Sequence, residues 1–518
     1  MMNQSSAQLF QVEQLSAIAD LTNSLSKKLK KYQLVSMIDD QSQPIELFDC
    51  FDQSVRQARG LLYVSGKQLN LIGEHCGKRT QPVDSRPGFV ADLNSGSVTA
   101  QLSCVSPLRS LLAVGKALHM HGVIKMLDNN DKTVARIVID GFGAASNPQP
   151  LWLAYVTTQP IRGYHKAHLE LLRALTESKL TQAVQSIDTA KIYQAVGIED
   201  SGYDRKPTMR FGAEQDALSV ANQIIRTYID IARVNEPGIV ADHDSEFLHD
   251  YRVSLRKVRS VISLFKGIYS EQHTQEYKLA FSEHMAPTGR LRDLDVYLLE
   301  KESYFQLIPE SLHEGLHIMF GQFEQERQQQ LLMLRKRFAS TSYQQSLEAL
   351  ASHFIEQPDA QEGPLAHLAA KAYAQQLVWK RYRKVCNIAR GIDANTPDDD
   401  VHELRIHCKK LRYLMEFFTP LFPQKRIKAL IKTLKGLQDN LGLFNDYSVQ
   451  QESLQAYLAN HANKGRKQDL MIAQSVGALT SVLNQRQHQE RAKVMANFAA
   501  FDSDLTRQEF RQLFKEKD

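Results

Sequence analysis

One pattern limits what this chain can fold into: the same basic helical unit is written twice, 153 residues apart. The segment HDYRVSLRKVRSVISLF starts at His249, and HELRIHCKKLRYLMEFF starts at His402. Further on, GRLRDLDV carries Gly289 and Asp293 while GLFNDYSV carries Gly442 and Asp446, in the same register and without a gap. His249, Arg252, Lys257, Arg259, Phe265, Gly289, Asp293 and Val296 thus recur as His402, Arg405, Lys410, Arg412, Phe418, Gly442, Asp446 and Val449. Two motifs in one register, with matching apolar positions between them, mark an internal duplication.

Placed on a helix, His249, Arg252, Arg256 and Arg259 fall within one arc of about 80°. Leu255, Val258, Val261, Ile262 and Phe265 fill an adjacent, wider arc, so an apolar stripe packs inward and cations run along its edge. The second unit repeats this with His402, Arg405, Lys409 and Arg412 beside Cys408, Leu411, Leu414, Met415 and Phe418. Lys257 and Lys410 lie on the far side of the apolar stripe. Like charges three and four apart repel by a few tenths of a kcal/mol per pair, and no acid stands between 251 and 270. A lone Arg/Lys run is usually a solvated face; the same run built twice points to an anionic partner. Acid-free basic stretches at 364–392 and 425–435 add to it, among them Lys371, Lys380, Arg381, Arg383, Lys384, Arg390, Lys432 and Lys435.

The candidate anion contacts are therefore His249, Arg252, Arg256, Lys257, Arg259, Arg292, Lys380, Arg383, His402, Arg405, Lys409, Lys410, Arg412, Lys432 and Lys435. One histidine per helix is a weak metal signal, so no metal is expected. Asp293 and Asp446 read as groups that fix an arginine or cap a helix. No catalytic residue and no cofactor are assigned.

At 518 residues two or three domains are expected. The net charge of +5 says little by itself; its distribution carries the information. Cys50, Cys76, Cys104, Cys386 and Cys408 form no C-x-x-C pair and read as reduced thiols of a cytoplasmic protein. The start MMNQSSAQLFQVEQ lacks the basic and apolar regions of a signal peptide, and no apolar run is long enough to span a membrane.

Before residue 158 the chain reads mainly as short strands, at 45–51, 60–64, 67–73, 97–105, 117–127, 132–140 and 151–158. They predict an antiparallel sheet or barrel, with LDNNDKTVARI as a hairpin turn. A helix is predicted over 7–31, ending in KKLKK. From about 164 the period becomes helical. The polar stretch 197–212 marks a boundary, and 355–364 a break within the helical half. The expected layout is α+β multidomain: a β domain at 1–200, then an all-α bundle at 205–510 with repeats at about 212–355 and 364–505.

At the duplicated motifs the sequence resembles the CHAD family, the conserved histidine α-helical domain. Its two helical repeats each open with a histidine- and arginine-rich helix and later carry a motif like L-R-D-L-D-V or L-G-x-x-x-D. Here these are His249 to Arg259 with Leu291 to Val296, and His402 to Arg412 with Leu441 to Val449, the match covering about 212–505. Asn445 departs from the pattern where the first repeat has Arg292. The resemblance implies a helical bundle with a basic channel that binds inorganic polyphosphate, often at polyphosphate granules.

The N-terminal half is similar to the CYTH fold of triphosphate tunnel enzymes at 48–64, 86–93, 131–140 and 160–172. That family's E-x-E-x-K strand has only Gln11, Glu13 and Leu15 to match it. The implied reading is a degenerate, non-catalytic relative serving docking or dimerisation. Three rival functions stand beside polyphosphate binding: a triphosphatase acting through the β domain, a nucleic-acid binder, and a structural helical adaptor. The nucleic-acid reading has Tyr251, Tyr382 and Tyr413 as candidate stacking residues, and it is disfavoured because the stripes themselves are poor in aromatics. Oligomeric state is left open.

Overall fold

A computed structural model describes residues 8–38, 42–74, 77–147, 150–212, 214–356, 362–393, 395–461 and 467–515. Cys76 and residues 357–361 of the break at 355–364 lie outside the described residues. The chain divides into two compact units, Met1–Asp204 and Arg205–Asp518.

The first unit is a ten-stranded antiparallel sheet. Its strands are β1 (Leu9–Leu15), β2 (Gln33–Ile38), β3 (Gln43–Asp49), β4 (Gly60–Ser65), β5 (Gln68–Gly73), β6 (Gly77–Pro82), β7 (Leu112–Leu127), β8 (Thr133–Ala144), β9 (Trp152–Pro160) and β10 (Gln182–Val184). They run in the order β10-β1-β9-β8-β7-β3-β4-β5-β6, with β2 also on β7. The path is open, so the sheet is not a closed barrel among the described residues. Among the described residues its α-helices are α1 (Ile18–Lys28), α2 (Ser54–Gln57), α3 (His165–Thr176) and α4 (Thr189–Ala195). Leu21 and Leu25 of α1 and Leu171 and Leu175 of α3 pack with Ile124, Ile137 and Val156 in one core. Ile192 and Tyr193 of α4 pack with Ile45, Phe142 and Tyr155 in a second. The β7–β8 turn is held by Asp128, whose Oδ1 accepts from the amides of Asn130 at 2.9 Å and Lys132 at 3.0 Å.

Two expectations fail here. The helix predicted over 7–31 is in fact β1 followed by α1. Phe10 and Val12 alternate into the core, and β1 is held by β9 and β10 on its two sides, so pairing prevails over propensity. A bulge at Gln14 (φ 55°) then shifts the register and turns Leu15 inward. The strand expected at 97–105 is irregular, with a short 3-10 turn at Thr99–Gln101. Val98, Leu102 and Val105 are its buried residues, a helical spacing, and Gln81 Oε1 accepts from the amides of Val98 and Thr99.

The second unit is all helical: α5 (Ala217–Ala241), α6 (Ser245–Leu264), α7 (Glu271–Met285), α8 (Gly289–Leu299), α9 (Lys301–Phe305), α10 (His313–Phe338), α11 (Thr341–Glu356), α12 (Ala370–Arg390), α13 (Asp398–Phe418), α14 (Gln424–His461), α15 (Lys467–Phe501) and α16 (Asp504–Phe514). Shifted by 153 residues, α5, α6 and α10 fall on α12, α13 and α15, while α7 and α8 together fall on α14. The first repeat breaks at Ala286–Thr288 because Pro287 has no amide hydrogen and crowds the preceding turn. Its counterpart Asn440 permits one unbroken helix, and its side-chain nitrogen donates to the Glu490 carbonyl.

Equivalent positions also touch. Asp216 bridges Ala369, and Phe265 stacks on Phe418 with ring centroids 4.7 Å apart and planes 16° apart. Elsewhere α10 approaches α15 so closely at Gly315 that an added Cβ would lie 2.2 Å from the Met471 carbonyl oxygen. Gly315→Ala is therefore expected to lower stability by about 1–3 kcal/mol through overpacking. Equal urea midpoints for the variant and the parent chain would contradict this.

Candidate anion-binding groove

The basic helices α6 and α13 are fixed by their apolar faces. Tyr251, Leu255, Val258 and Ile262 of α6, and Leu404, Cys408, Leu411 and Met415 of α13, are all buried. Asp244 caps α6, accepting from the amides of Glu246 and Phe247. Three aspartates open the first turn of α13, where the helix dipole favours negative charge. The two helices pack against each other, so the two cationic edges meet.

The meeting shows in the electrostatics. Burial, followed by Arg405, Arg256 and Arg412, pushes the Lys409 ammonium down to about 8. Arg256 and Lys409 occupy equivalent positions in the two repeats. Arg252 is lowered by burial and then by Arg256, with Arg292 of α8 acting in the same direction. Arg405 is lowered by burial, with Arg256 again contributing. Carboxylates offer limited relief: Asp446 lies 3.6 Å from Arg405, and Asp293 acts on Arg252 from α8.

The guanidinium groups are only partly satisfied. Arg252 Nη1 donates to Thr288 Oγ1 at 2.5 Å and to the Met285 carbonyl at 3.3 Å. The Nε atoms of Arg252 and Arg259 are buried without a hydrogen-bond partner, and Arg412 Nε is ion-paired with Glu416 Oε1 at 3.4 Å. Unpaired buried donors are costly, and an anion would satisfy those it can reach. The chemistry offered is a set of forked donors and point charges suited to phosphate oxygens.

His249 lies beside this set, and burial, followed by Arg292, pushes its imidazole down to about 4. It is neutral at pH 7. His407 is also pushed down to about 4, by burial and then by Arg381. Both histidines bind protons more weakly in the folded chain than in the unfolded chain, whose ordinary value is near 6.5. Stability from these groups is therefore intact above about 6.5 and is lost as pH falls toward 4. The thermal midpoint should drop across that window, and less steeply in His249→Gln; a flat calorimetric profile from pH 7 to 4.5 would exclude the effect.

The structure brings together His249, Arg252, Arg256, Arg292, Arg405, Lys409 and Arg412. It sets other candidates elsewhere. Lys257 points at α5, donating to Tyr228 Oη at 2.8 Å with its ammonium 4.3 Å from that ring's centroid. Lys410 joins Arg381, Lys384 and Lys266 in a second cationic group, where Arg381 Nη1 lies 2.6 Å from His407 Nδ1. Lys380 and Arg383 line a shallow hollow on α12 with Trp379. Arg259 rests near Met285 Sδ at 3.9 Å. His402, Lys432 and Lys435 are exposed. The second cationic group was visible in sequence only as an acid-free stretch; its centre, His407, gave no signal, because its surroundings arise from α12 packing on α13.

In the β unit, Gln11 and Glu13 lie together: Gln11 Nε2 donates to Glu13 at 2.6 Å, and Lys191 Nζ pairs with the same carboxylate at 2.8 Å. Cys50, Cys386 and Cys408 are buried, and Cys104 is exposed. No helix among the described residues is long and apolar enough to cross a membrane.

The helical unit is thus a duplicated bundle with a half-buried cationic seam where its two repeats meet. Residues 223–455, within the helical unit, match the family described as CHAD domain. Among solved structures, the CHAD domain from the plant Ricinus communis is 21% identical, with a TM-score of 0.49, covering 59% of this chain and 98% of that one. PptA from Streptomyces chartreusis is 14% identical, with a TM-score of 0.39, covering 57% of this chain and all of that one. No curated protein matches the sequence.

Proposed function

We propose that the helical unit binds inorganic polyphosphate along the α6–α13 seam, without catalysis, in the cytoplasm and at polyphosphate granules. The observation that carries this is the set Arg252, Arg256, Arg405 and Lys409, drawn from both repeats and held close enough to depress one another's proton affinity. Polyphosphate presents a negative charge on each phosphate and neither base nor sugar, so spaced cations are sufficient to recognise it. Cations three or four apart on a helix are spaced about 5 Å along its axis, which lets one helix follow several phosphates of a linear chain. We place the two repeats at about 212–355 and 364–505. The sheet unit is proposed as a degenerate CYTH-like domain used for docking or dimerisation.

Single-stranded RNA tests the nucleic-acid alternative. At equal phosphate concentration polyphosphate should displace RNA from the full chain, and preference for RNA would sink the reading. Lys409 supplies a second test. An anion favours its charged form, so binding near pH 8–9 should take up protons and weaken as pH rises through about 8. Calorimetry in buffers of different ionisation enthalpy reads the uptake directly, and Lys409→Arg should remove it.

A further inference from the structure

Beside the cationic seam lies a cleft of opposite character. It has a volume of about 790 Å³ and runs between α8 and the middle of α14, so each wall is the equivalent stretch of a different repeat. Asp293 and Val296 contribute from one repeat, and Asp446 and Val449 from the other. Four carboxylates line it, those of Asp293, Glu300, Asp446 and Glu452, with the guanidinium of Arg486, and Asp446 also stands 3.6 Å from Arg405 of the seam. Burial and the nearby Asp446 raise the Glu300 carboxyl above its ordinary range.

Two further observations point to a ligand. Tyr304 lines the cleft and is only 3% exposed, yet its hydroxyl has no hydrogen-bond partner. On the α14 side Leu443 and Val449 stand 45% and 52% exposed, an apolar border to an acidic cleft. A compact metal ion does not fit, because among the described residues no three carboxylate, histidine or cysteine groups converge closely enough to hold one. The ligand must instead place separated positive charges on separated carboxylates and lay apolar surface between them. Tyrosine rings also attract ammonium groups, and Tyr297 and Tyr304 lie 5.7 Å apart in the wall.

We propose that this cleft binds a linear aliphatic polyamine, with ammonium groups on Glu300, Asp446 and the Tyr304 oxygen and methylenes along Val296, Leu443 and Val449. The site does not depend on polyphosphate binding, and its titration is made in the absence of polyphosphate.

The experiment is calorimetric titration of the full chain with spermidine at fixed ionic strength. One saturable site is expected. Glu300→Gln should weaken it about tenfold or more, the scale of a lost charge-assisted contact, and Tyr304→Phe should weaken it less. Ser303 is exposed and lines the cleft, so Ser303→Phe should fill the space, keep every charge and block binding. Polyphosphate affinity should be the same in Ser303→Phe as in the parent chain, which separates the two sites. The proposal is overturned if folded Ser303→Phe binds spermidine like the parent, if Mg²⁺ displaces spermidine at matched ionic strength, or if oligolysine binds and spermidine does not.

Discussion

Changing Arg252, Arg256, Arg405 and Lys409 together to glutamate is expected to lower polyphosphate affinity of the full chain by at least about a thousandfold. A hydrogen bond to a charged group is worth about 1.5–3 kcal/mol, and about 1.4 kcal/mol is tenfold. Contacts sharing one ligand do not add simply, so the figure is set below the sum of four. Wild-type binding should also weaken steeply with salt as counterions are released, and the slope should flatten in the variant. A milder pair separates binding from packing. Arg256→Gln with Lys409→Gln removes mutual repulsion at equivalent positions, so the unliganded chain should melt no lower than the parent while binding is lost. Lower melting with binding retained would assign these cations to packing.

Phe265→Ala is expected to cost about 3–5 kcal/mol of stability, the usual range for deleting a buried phenyl ring. The ring is 2% exposed and stacks on Phe418, its counterpart in the other repeat. Phe417 and Tyr373 meet the same ring edge-on, at 6.1 Å and 5.9 Å. The lost contacts therefore join the repeats, and the loss should appear as earlier urea unfolding of the whole helical unit. Phe418→Leu keeps much of the volume and should cost less. Equal costs for the two would mean the stack contributes nothing of its own.

Much of the helical unit was legible because its determinants are local and written twice. His249 to Phe265 and His402 to Phe418 fix two helices, one apolar edge and one cationic edge each. That the two edges face one another was not legible, since spacing gives a side chain's angle on its own helix and not what lies opposite. Lys257 shows the cost: it shares the helix of Arg256, yet Tyr228 of α5 holds it. The acidic cleft was hidden for the same reason, its walls lying 153 residues apart. In the β unit the strand at Leu9–Leu15 was read as helix because seven residues beside a genuine helix gave no separate period. The irregular run at 97–105 lost its strand reading to burial at helical spacing.

The contacts between equivalent positions, Asp216 with Ala369 and Phe265 with Phe418, have a consequence for the guest. They relate the two repeats by an approximate twofold axis, and the equivalent pair Arg256 and Lys409 lies together in the seam. A groove crossed by such an axis would be nearly the same when entered from either end. Peptides and nucleic acids have a direction and would meet it differently in each orientation. A chain of phosphoanhydrides reads the same forwards and backwards, so both threadings are nearly equal in energy and sliding by one phosphate restores similar contacts. The proposed polyphosphate guest would be held without a fixed register and could be passed along its own length.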